Sequence, residues 1–464
     1  MTPGPSRQPP REGSRRVAAL CFALAAAVRI VLVAVFPTIH GGDASARLAH
    51  AETLILGYQL PLPQLFVIIA RALSDDPALT RMVFCLWGGL LAAGMAALLA
   101  QVADARAALF GGLLFAFDPL LIHYSIVPYQ EPVAYALVAW AFAFGASGRH
   151  RVGAATMAAA CLCRYEVWLL LPAFIRVSSE PRIAALAALP PLAWVAWWQG
   201  LAPAGLYVLD IDARADRLSR LTYLGSKFLE YETGFVAAAA LAGLGVSLHD
   251  RRRPILWFAL VLTMAIGVVI VLGHEYPPGS GLMSERLIHL PVILALALAS
   301  LALTRLAGQS RTTLALSLVL ILGFAVRNVR FEVALLRAAA SDPDLALARD
   351  AARALSSERS RADCVSVAAP PVDRGTLDAY VAKVGAAFGD VNRARALAAG
   401  FADASPDRDR IAAHLSAPPG TIRAEPGCPL LVIVDDAAAP PASSTLVAEV
   451  SAGRRRARIV RMPR

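Results

Sequence analysis

Charged residues are scarce in this chain of 464 residues. Only 17% of its residues are charged, whereas 57% are hydrophobic and the mean hydropathy is +0.57. Because an average soluble domain has about 25% charged residues, this composition excludes a soluble enzyme, a disordered chain and a disulfide-rich secreted scaffold. The composition is typical of a protein that crosses a membrane several times.

Lysine is almost absent. Lys227 and Lys383 are the two lysines, so arginine supplies nearly all of the 44 basic residues and the net charge of +10. An arginine-rich composition with abundant alanine, glycine and proline suggests a GC-rich bacterial genome. The arginines cluster in short loops between apolar runs, which indicates membrane topology rather than a nucleic-acid-binding surface. We therefore expect no nucleic-acid partner.

Several sequence motifs of well-known enzyme classes are also missing. No Walker loop, dinucleotide fingerprint, HExxH motif or paired CxxC motif is present, which argues against ATP-driven transport, redox chemistry with a soluble cofactor and zinc proteolysis. We therefore expect neither a nucleotide nor a redox cofactor. The six cysteines have no metal-like spacing. Cys364 and Cys428 either form a disulfide or remain two thiols.

Nine apolar runs have about the length that a helix needs to cross a bilayer, which is roughly 20 residues. They are 17–37, 80–101, 106–124, 128–146, 183–199, 234–248, 254–272, 286–304 and 312–327. A tenth run, 152–175, differs from them because Arg164 and Glu166 lie at its centre.

The arginines predict the orientation of these spans. Four arginines precede the first span and indicate a cytoplasmic N-terminus, and further basic clusters follow at 149–151, 251–253 and 305–311. All these clusters are cytoplasmic only if 152–175 enters the membrane and returns as a broken hairpin. The alternative is that 152–175 crosses the membrane once and that a basic loop breaks the positive-inside rule. Buried charges at such a turn indicate function or an architectural ion pair.

The predicted topology places three long loops outside, at 38–79, 200–233 and 273–285. The C-terminal part is more polar, and its predicted helices (342–357 and 375–400) and strands (364–369, 430–436, 445–450 and 457–462) suggest a small α/β domain. We therefore predict a cytoplasmic basic tail over 1–16, a membrane domain over 17–334 with about 9–11 helices, and an extracytoplasmic α/β domain over 335–464.

Asp43 is the first candidate for chemistry. It follows two glycines in the first outer loop and precedes two predicted juxtamembrane helices, 44–56 and 64–73. Asp43 either caps the first of these helices or acts as a carboxylate at the membrane face that takes a proton from an acceptor.

Glu131 is a second acidic residue that we place at the outer face, in the turn between two spans and next to Tyr129. Together with Asp43 it could hold Mg²⁺ or Mn²⁺, since these ions take one or two carboxylates with phosphate oxygens. The alternative is a solvated loop carboxylate.

The remaining candidates are basic. Arg164 pairs with Glu166 or with neighbouring residues, and Arg286 opens a late span with His289 one turn further on. An arginine at the membrane face can hold a lipid-linked phosphate, because its guanidinium donates two hydrogen bonds to the phosphate oxygens. The alternative for Arg286 is interfacial snorkelling. We expect Asp43, Glu131 and Arg286 to converge on one outer-facing cavity.

Four ordered stretches resemble those of the GT-C class of integral-membrane glycosyltransferases. The resemblance is closest to bacterial relatives of the protein mannosyltransferases and to lipid A aminoarabinose transferases. The stretches follow a first span that carries Arg29, and they are GGDASARL (41–48), YSIVPYQEP (124–132), RYEVWLLLP (164–172) and ERLIHLP (285–291). The likeness covers about residues 15–330.

This resemblance implies a GT-C-like helical membrane fold and transfer of a sugar from a polyprenyl-phosphate donor to an envelope lipid, glycan or protein. Asp43 would be the general base. Arg286, together with Arg164, His289 and Tyr129, would bind the substrate and its phosphate, and Asp43 with Glu131 would hold the divalent cation. The enzyme would lie in a bacterial cytoplasmic membrane.

Two other functions remain open at this point. An outer-leaflet polysaccharide ligase or polymerase would use arginines of a large outer loop, such as Arg214, Arg217 and Arg220, although a solvated loop helix is the simpler explanation of these residues. A transporter or flippase of lipid-linked substrates would distribute charges through the middle of the membrane, and the absence of evident inverted repeats weakens it.

Overall fold

The structure is a computed structural model of the full chain. It describes a limited set of residues, which are 12–37, 44, 47–48, 51, 54, 60–74, 76–201, 217–249, 288–341, 347, 350–351, 354, 366–368, 430–435, 444–452 and 455–461. The chain divides into two compact units, 1–32 with 82–332 and 33–81 with 333–464. The division predicted from the sequence at residues 16 and 334 stays a prediction.

Most described residues are helical, and the long helices coincide with the apolar runs of the sequence. The helices are α1 (Glu12–Val35), α2 (Pro61–Leu73), α3 (Pro77–Val102), α4 (Ala105–Phe117), α5 (Pro119–Ile126), α6 (Glu131–Ala146), α7 (His150–Cys161), α8 (Leu171–Val177), α9 (Pro181–Ala185), α10 (Leu189–Leu201), α11 (Arg217–His249), α12 (His289–Ala307) and α13 (Arg311–Ala340). The predicted span 254–272 lies outside the described residues.

The protein crosses a membrane several times. In the described part of the chain, four helices are long and apolar enough to span a bilayer, namely α1, α3, α12 and α13, and the bent pair of α4 and α5 is apolar enough to be a fifth if it counts as one span. The polytopic helical class predicted from the sequence is therefore confirmed.

The predicted single span 106–124 is wrong in detail, because α4 and α5 meet at a bend of 56°. Pro119 has no backbone N–H to continue α4, and the Asp118 side chain accepts a hydrogen bond from the backbone N–H of Leu121, 2.8 Å away. The break leaves carbonyl groups at the end of α4 without helical partners. The buried Arg29 side chain donates to one of them, the carbonyl of Ala116, over 2.7 Å.

The predicted broken hairpin at 152–175 is confirmed. Helix α7 ends at Cys161, a 3-10 helix covers Tyr165–Leu170, and α8 then runs back. The return is evident from His150, which begins α7, because its Nε2 lies 2.8 Å from Oγ of Ser179, just beyond α8. The chain therefore comes back to the end of the helical body that it left.

The predicted span 183–199 is also interrupted. It consists of α9, a 3-10 turn over Leu186–Ala188 and α10, rather than one regular helix. The predicted helix 64–73 is observed as α2 and begins three residues earlier, since proline is well suited to the first turn of a helix.

Helices α11 and α12 pack closely side by side. Gly243 of α11 lies directly against the backbone of Leu298 in α12, where a Cβ atom would collide with the Leu298 carbonyl. Leu298 and Leu301 continue into a small apolar cluster with Leu99 and Ala107. This packing joins the late helices to α3 and α4.

The C-terminal unit contains a four-stranded sheet in the order β1-β2-β4-β3. Its strands are Ser366–Ala368, Leu430–Asp435, Thr445–Ala452 and Arg455–Arg461. Strands β1 and β2 are parallel, whereas β4 is antiparallel to both β2 and β3. All four predicted strands are therefore confirmed, whereas the predicted helix 375–400, Cys364 and Cys428 lie outside the described residues.

Candidate functional site

A cluster of three charged residues, two of them buried and the third partly buried, lies in the first unit. Arg164 donates to the carboxylates of Glu131 and Glu166, and its Nε lies 3.0 Å from Oε2 of Glu166. The side chains of Arg164 and Glu131 are 6% and 1% exposed. Since isolated charges are very costly to bury, the guanidinium between two carboxylates is the arrangement that makes this burial tolerable.

Local structure brings these three residues together. Glu131 is the first residue of α6, where a carboxylate is favoured by the helix dipole. Arg164 has an extended backbone in the turn between α7 and the 3-10 helix. Trp168 fixes that turn because its Nε1 donates to the carbonyl of Cys161, 2.8 Å away at the end of α7. The RYEVW stretch thus builds the turn as well as its charges.

The rings of Tyr124, Tyr129, Tyr135 and His289 form a buried aromatic cluster beside these charges. Tyr124 contacts both Tyr129 and His289, with centroid distances of 4.7 Å and 4.3 Å. Tyr135 lies one helical turn after Glu131 on α6 and stacks on His289 at 6.0 Å. The structure therefore brings four predicted site residues into one neighbourhood, which are Glu131, Arg164, Tyr129 and His289.

A second group of buried polar residues includes His123, whose ring contacts that of Tyr124. His123 Nδ1 is 2.9 Å from Oε1 of Glu332 on α13, and both side chains are buried. Asp118 at the α4–α5 break lies beside Glu232 of α11 and Arg29 of α1. These residues form a continuous polar region between the broken span and the late helices.

Glu232 and Glu332 are residues that the sequence interpretation missed. Both lie just outside the apolar runs 234–248 and 312–327, and Glu232 falls in the predicted outer loop 200–233. In the structure α11 and α13 continue past these runs, and both glutamates are fully buried. The signal available in the sequence was a glutamate within one turn or so of an apolar run, which is common and therefore weak.

Two predicted site residues, Asp43 and Arg286, lie outside the described residues. Their convergence with Glu131 on one cavity, and the roles of all six predicted site residues, stay predictions. The same holds for the divalent cation, for which Asp43 is the proposed partner of Glu131. In the part of the chain that the structure describes, no three His, Cys, Asp or Glu side chains form a group that could hold a metal ion. The described carboxylate, Glu131, is bound by Arg164 instead.

The fold is similar to that of solved glycosyltransferases of the GT-C class. It is similar to ArnT from Cupriavidus metallidurans, a lipid A aminoarabinose transferase, in structures of its apo state and of its complex with undecaprenyl phosphate. The two alignments have TM-scores of 0.59 and 0.60 at 16% identity, and each covers 96% of this chain and 97% of ArnT.

The oligosaccharyltransferase AglB from Archaeoglobus fulgidus is also similar. Its complex with an inhibitory peptide and a dolichol-phosphate aligns with a TM-score of 0.52 at 12% identity, covering 92% of this chain and 69% of AglB. No protein-family model matches the sequence, and no curated protein matches it either. The similarity is therefore one of fold at low sequence identity.

Proposed function

We propose that this protein transfers a sugar from a polyprenyl-phosphate donor to an envelope lipid, glycan or protein at the outer face of a bacterial cytoplasmic membrane. The main support is a fold shared along nearly the whole chain with ArnT, which has been captured with undecaprenyl phosphate. AglB, with the same type of fold, has been captured with dolichol-phosphate. The ordered sequence stretches around Asp43, Glu131, Arg164 and Arg286 add a second line of support.

The proposed orientation follows from the arginines. The start of α1 and the α6–α7 turn carry basic residues, which favour the cytoplasmic side. Glu131 begins α6 and Arg164 follows α7, so both lie at the opposite end of these helices. The charged cluster would therefore face the outer leaflet, where the proposed reaction takes place.

The proposed chemistry begins with Asp43 as general base. Its carboxylate takes the proton of the acceptor hydroxyl while the acceptor oxygen forms a bond to the anomeric carbon of the sugar. The bond between this carbon and the phosphate oxygen breaks, and polyprenyl phosphate leaves with the electron pair. In-line attack inverts the anomeric configuration. Arg286 stabilises the charge that develops on the leaving phosphate.

Arg164 is proposed to act by positioning Glu131. Its guanidinium is already engaged by two carboxylates, so direct binding of the donor phosphate would require it to exchange one of them. The aromatic cluster contributes Tyr129 and His289 as the proposed wall of the donor site. Glu131 and Asp43 would together hold a divalent cation, which would supply positive charge beside the leaving phosphate.

Substitution of Asp43 tests the proposal. Membranes that contain the protein are incubated with undecaprenyl-phosphate carrying a radiolabelled hexose, and the label that enters the non-donor fraction is measured. We expect Asp43→Asn to lower transfer by about 10²–10⁴-fold, the usual effect of losing a general base.

The matched control is Asp76→Asn. Asp76 is an exposed residue of the same predicted loop, and it accepts a hydrogen bond from the backbone N–H of Ala78 over 2.8 Å, a capping role that asparagine keeps. Transfer by this variant should equal wild type. Undiminished transfer by a folded Asp43→Asn protein would exclude Asp43 as the base.

A further inference from the structure

A groove opens at the end of the helical body opposite to Glu131. It has a volume of about 570 Å³, within the range of roughly 300–1,000 Å³ that is usual for small-molecule sites. Three helix ends form it, because α1 begins there and α3 and α6 end there. All of its lining residues belong to the first unit.

Each helix lines the groove with a single face. The α1 residues are spaced at i, i+3, i+4 and i+7, from Arg15 to Phe22, and the same spacing recurs from Trp140 of α6 to Ser147, which caps that helix. Alanines occupy much of these faces, and Ala97 of α3 is one of them. Small side chains therefore leave the space, and its shape is set by regular helices rather than by a loop.

The deep part of the groove is apolar. Phe22, Leu90 and Trp140 lie farthest from the helix ends, and Trp140 Nε1 donates to the carbonyl of Leu90 over 3.0 Å. Because this hydrogen bond satisfies the indole N–H, the ring presents a nonpolar surface to the groove. From Arg15 to Phe22 the groove is about 10 Å deep, most of the roughly 15 Å half-thickness of the hydrocarbon core.

The mouth of the groove is polar and positively charged. Arg15 and Arg149 line it together with Ser14, Gln101 and Ser147. Both arginines are exposed, and within the described residues neither side chain forms an ion pair. The neighbouring Arg16 is different, because it points away from the groove and pairs with Glu12 at 2.6 Å. Two guanidinium groups that have no ion-pair partner among the described residues thus lie above an apolar slot, which complements one anionic head group and one acyl chain.

We propose that this groove binds an anionic glycerophospholipid in the leaflet on the side where α1 begins. The lipid phosphate lies between Arg15 and Arg149, with an acyl chain along Ala97 toward Phe22 and Trp140. Arginine binds phosphate oxygens through paired hydrogen bonds, and basic residues at the membrane surface attract anionic lipids. The site is at the far end from the proposed donor site, so it does not depend on the proposed transferase function.

The test is native mass spectrometry of the purified full-length protein with added dioleoyl phosphatidylglycerol or dioleoyl phosphatidylcholine. Wild type should retain phosphatidylglycerol preferentially. Arg15→Ala with Arg149→Ala should weaken its retention by about tenfold or more, since each basic residue contributes a substantial electrostatic attraction. The matched control, Arg16→Ala with Arg151→Ala, removes the same charge from the same segments without touching the groove.

A second pair of variants tests the slot itself. Ala97→Phe places a ring in the groove and should reduce retention of both lipids, whereas Ala100→Phe, on the same helix but outside the lining, should not. Equal binding of the two lipids by wild type, or equal losses in the two arginine pairs, would overturn the proposal. So would a wild-type protein that retains no phospholipid, which is the result expected if another segment of the chain fills the groove.

Discussion

Arg164 is one positive charge held between the buried carboxylate of Glu131 and the partly buried carboxylate of Glu166, so the cluster carries two acidic groups for one basic group. Removing one partner of a buried ion pair usually costs about 3–5 kcal/mol, because the other charge stays buried. A substitution of Arg164 would therefore lower stability as well as activity, and the two effects could not be separated. The two carboxylates are the better probes, because Arg164 keeps one partner when either is neutralised.

At the level of single residues we predict that Glu131 and Glu166 differ in importance. Glu131→Gln should lower kcat for sugar transfer by tenfold or more with little change in KM, because this carboxylate is the one proposed to act beside Asp43. Glu166→Gln should change kcat much less, since it leaves the Arg164–Glu131 pair in place. Steady-state kinetics of both variants, with their melting temperatures in detergent, provide the measurement.

Equal losses of kcat in both variants, with equal losses of stability, would contradict this prediction. They would mean that the cluster is an architectural ion pair and that Glu131 has no function of its own.

The charged cluster could be predicted in part because two of its residues are charged residues within an apolar run. Arg164 and Glu166 interrupt an apolar run. Because charges inside a membrane segment are costly and therefore rare, such residues are easily recognised in the sequence. Their pairing is confirmed, and so is the turn that carries them. Glu332 is just as buried, but it follows an apolar run that ends at residue 327, so the sequence offers no reason to distinguish it from a loop glutamate.

Among the helices, the break between α4 and α5 could not be predicted from the hydropathy of the sequence. Hydropathy is high on both sides of Asp118 and Pro119, and the average over the run 106–124 hides the interruption. The carbonyl of Ala116, which the break leaves without a helical partner, accepts a hydrogen bond from Arg29, 87 residues away in sequence. A hydrogen bond between such distant positions has no local signature, although both Arg29 and the Asp-Pro pair are plain in the sequence.

The close packing of the Arg29 side chain against α3 leads to a prediction for Gly88. A Cβ atom at Gly88 would meet Oγ of Ser125 and lie 2.6 Å from Nε of Arg29. Gly88→Ala should therefore displace Arg29 and destabilise the protein by about 1–3 kcal/mol, the usual cost of overpacking. Thermal unfolding followed by size-exclusion chromatography in detergent measures the effect.

Gly245→Ala serves as the control for this substitution. Gly245 lies in α11, and a Cβ atom there would have no neighbour within 4 Å. Alanine should be neutral or stabilising by up to about 1 kcal/mol, because it favours the helix. A Gly88→Ala protein that melts like Gly245→Ala would show that Arg29 is not held as tightly as this packing requires.

At the scale of the whole molecule, the low charge content is an average over the apolar membrane-spanning part and the more polar C-terminal part. The apolar runs and their arginine clusters predicted both the helical class and the broken hairpin, because the bilayer imposes length and charge rules on every span. The four strands of the C-terminal unit were predicted from short apolar runs. Their mixed order could not be predicted, since strand pairing depends on contacts between distant segments.

The central claim is that the donor lipid is cleaved, not moved. Purified wild-type protein is reconstituted in vesicles and supplied with undecaprenyl-phosphate that carries a radiolabelled hexose. An envelope extract is added as the source of acceptor, and the lipid products are analysed by mass spectrometry. We predict that undecaprenyl phosphate forms in step with transfer of the label to the extract, and that Asp43→Asn forms neither. If the labelled lipid crosses the bilayer intact and no undecaprenyl phosphate appears, the protein is a flippase and the proposed function is wrong.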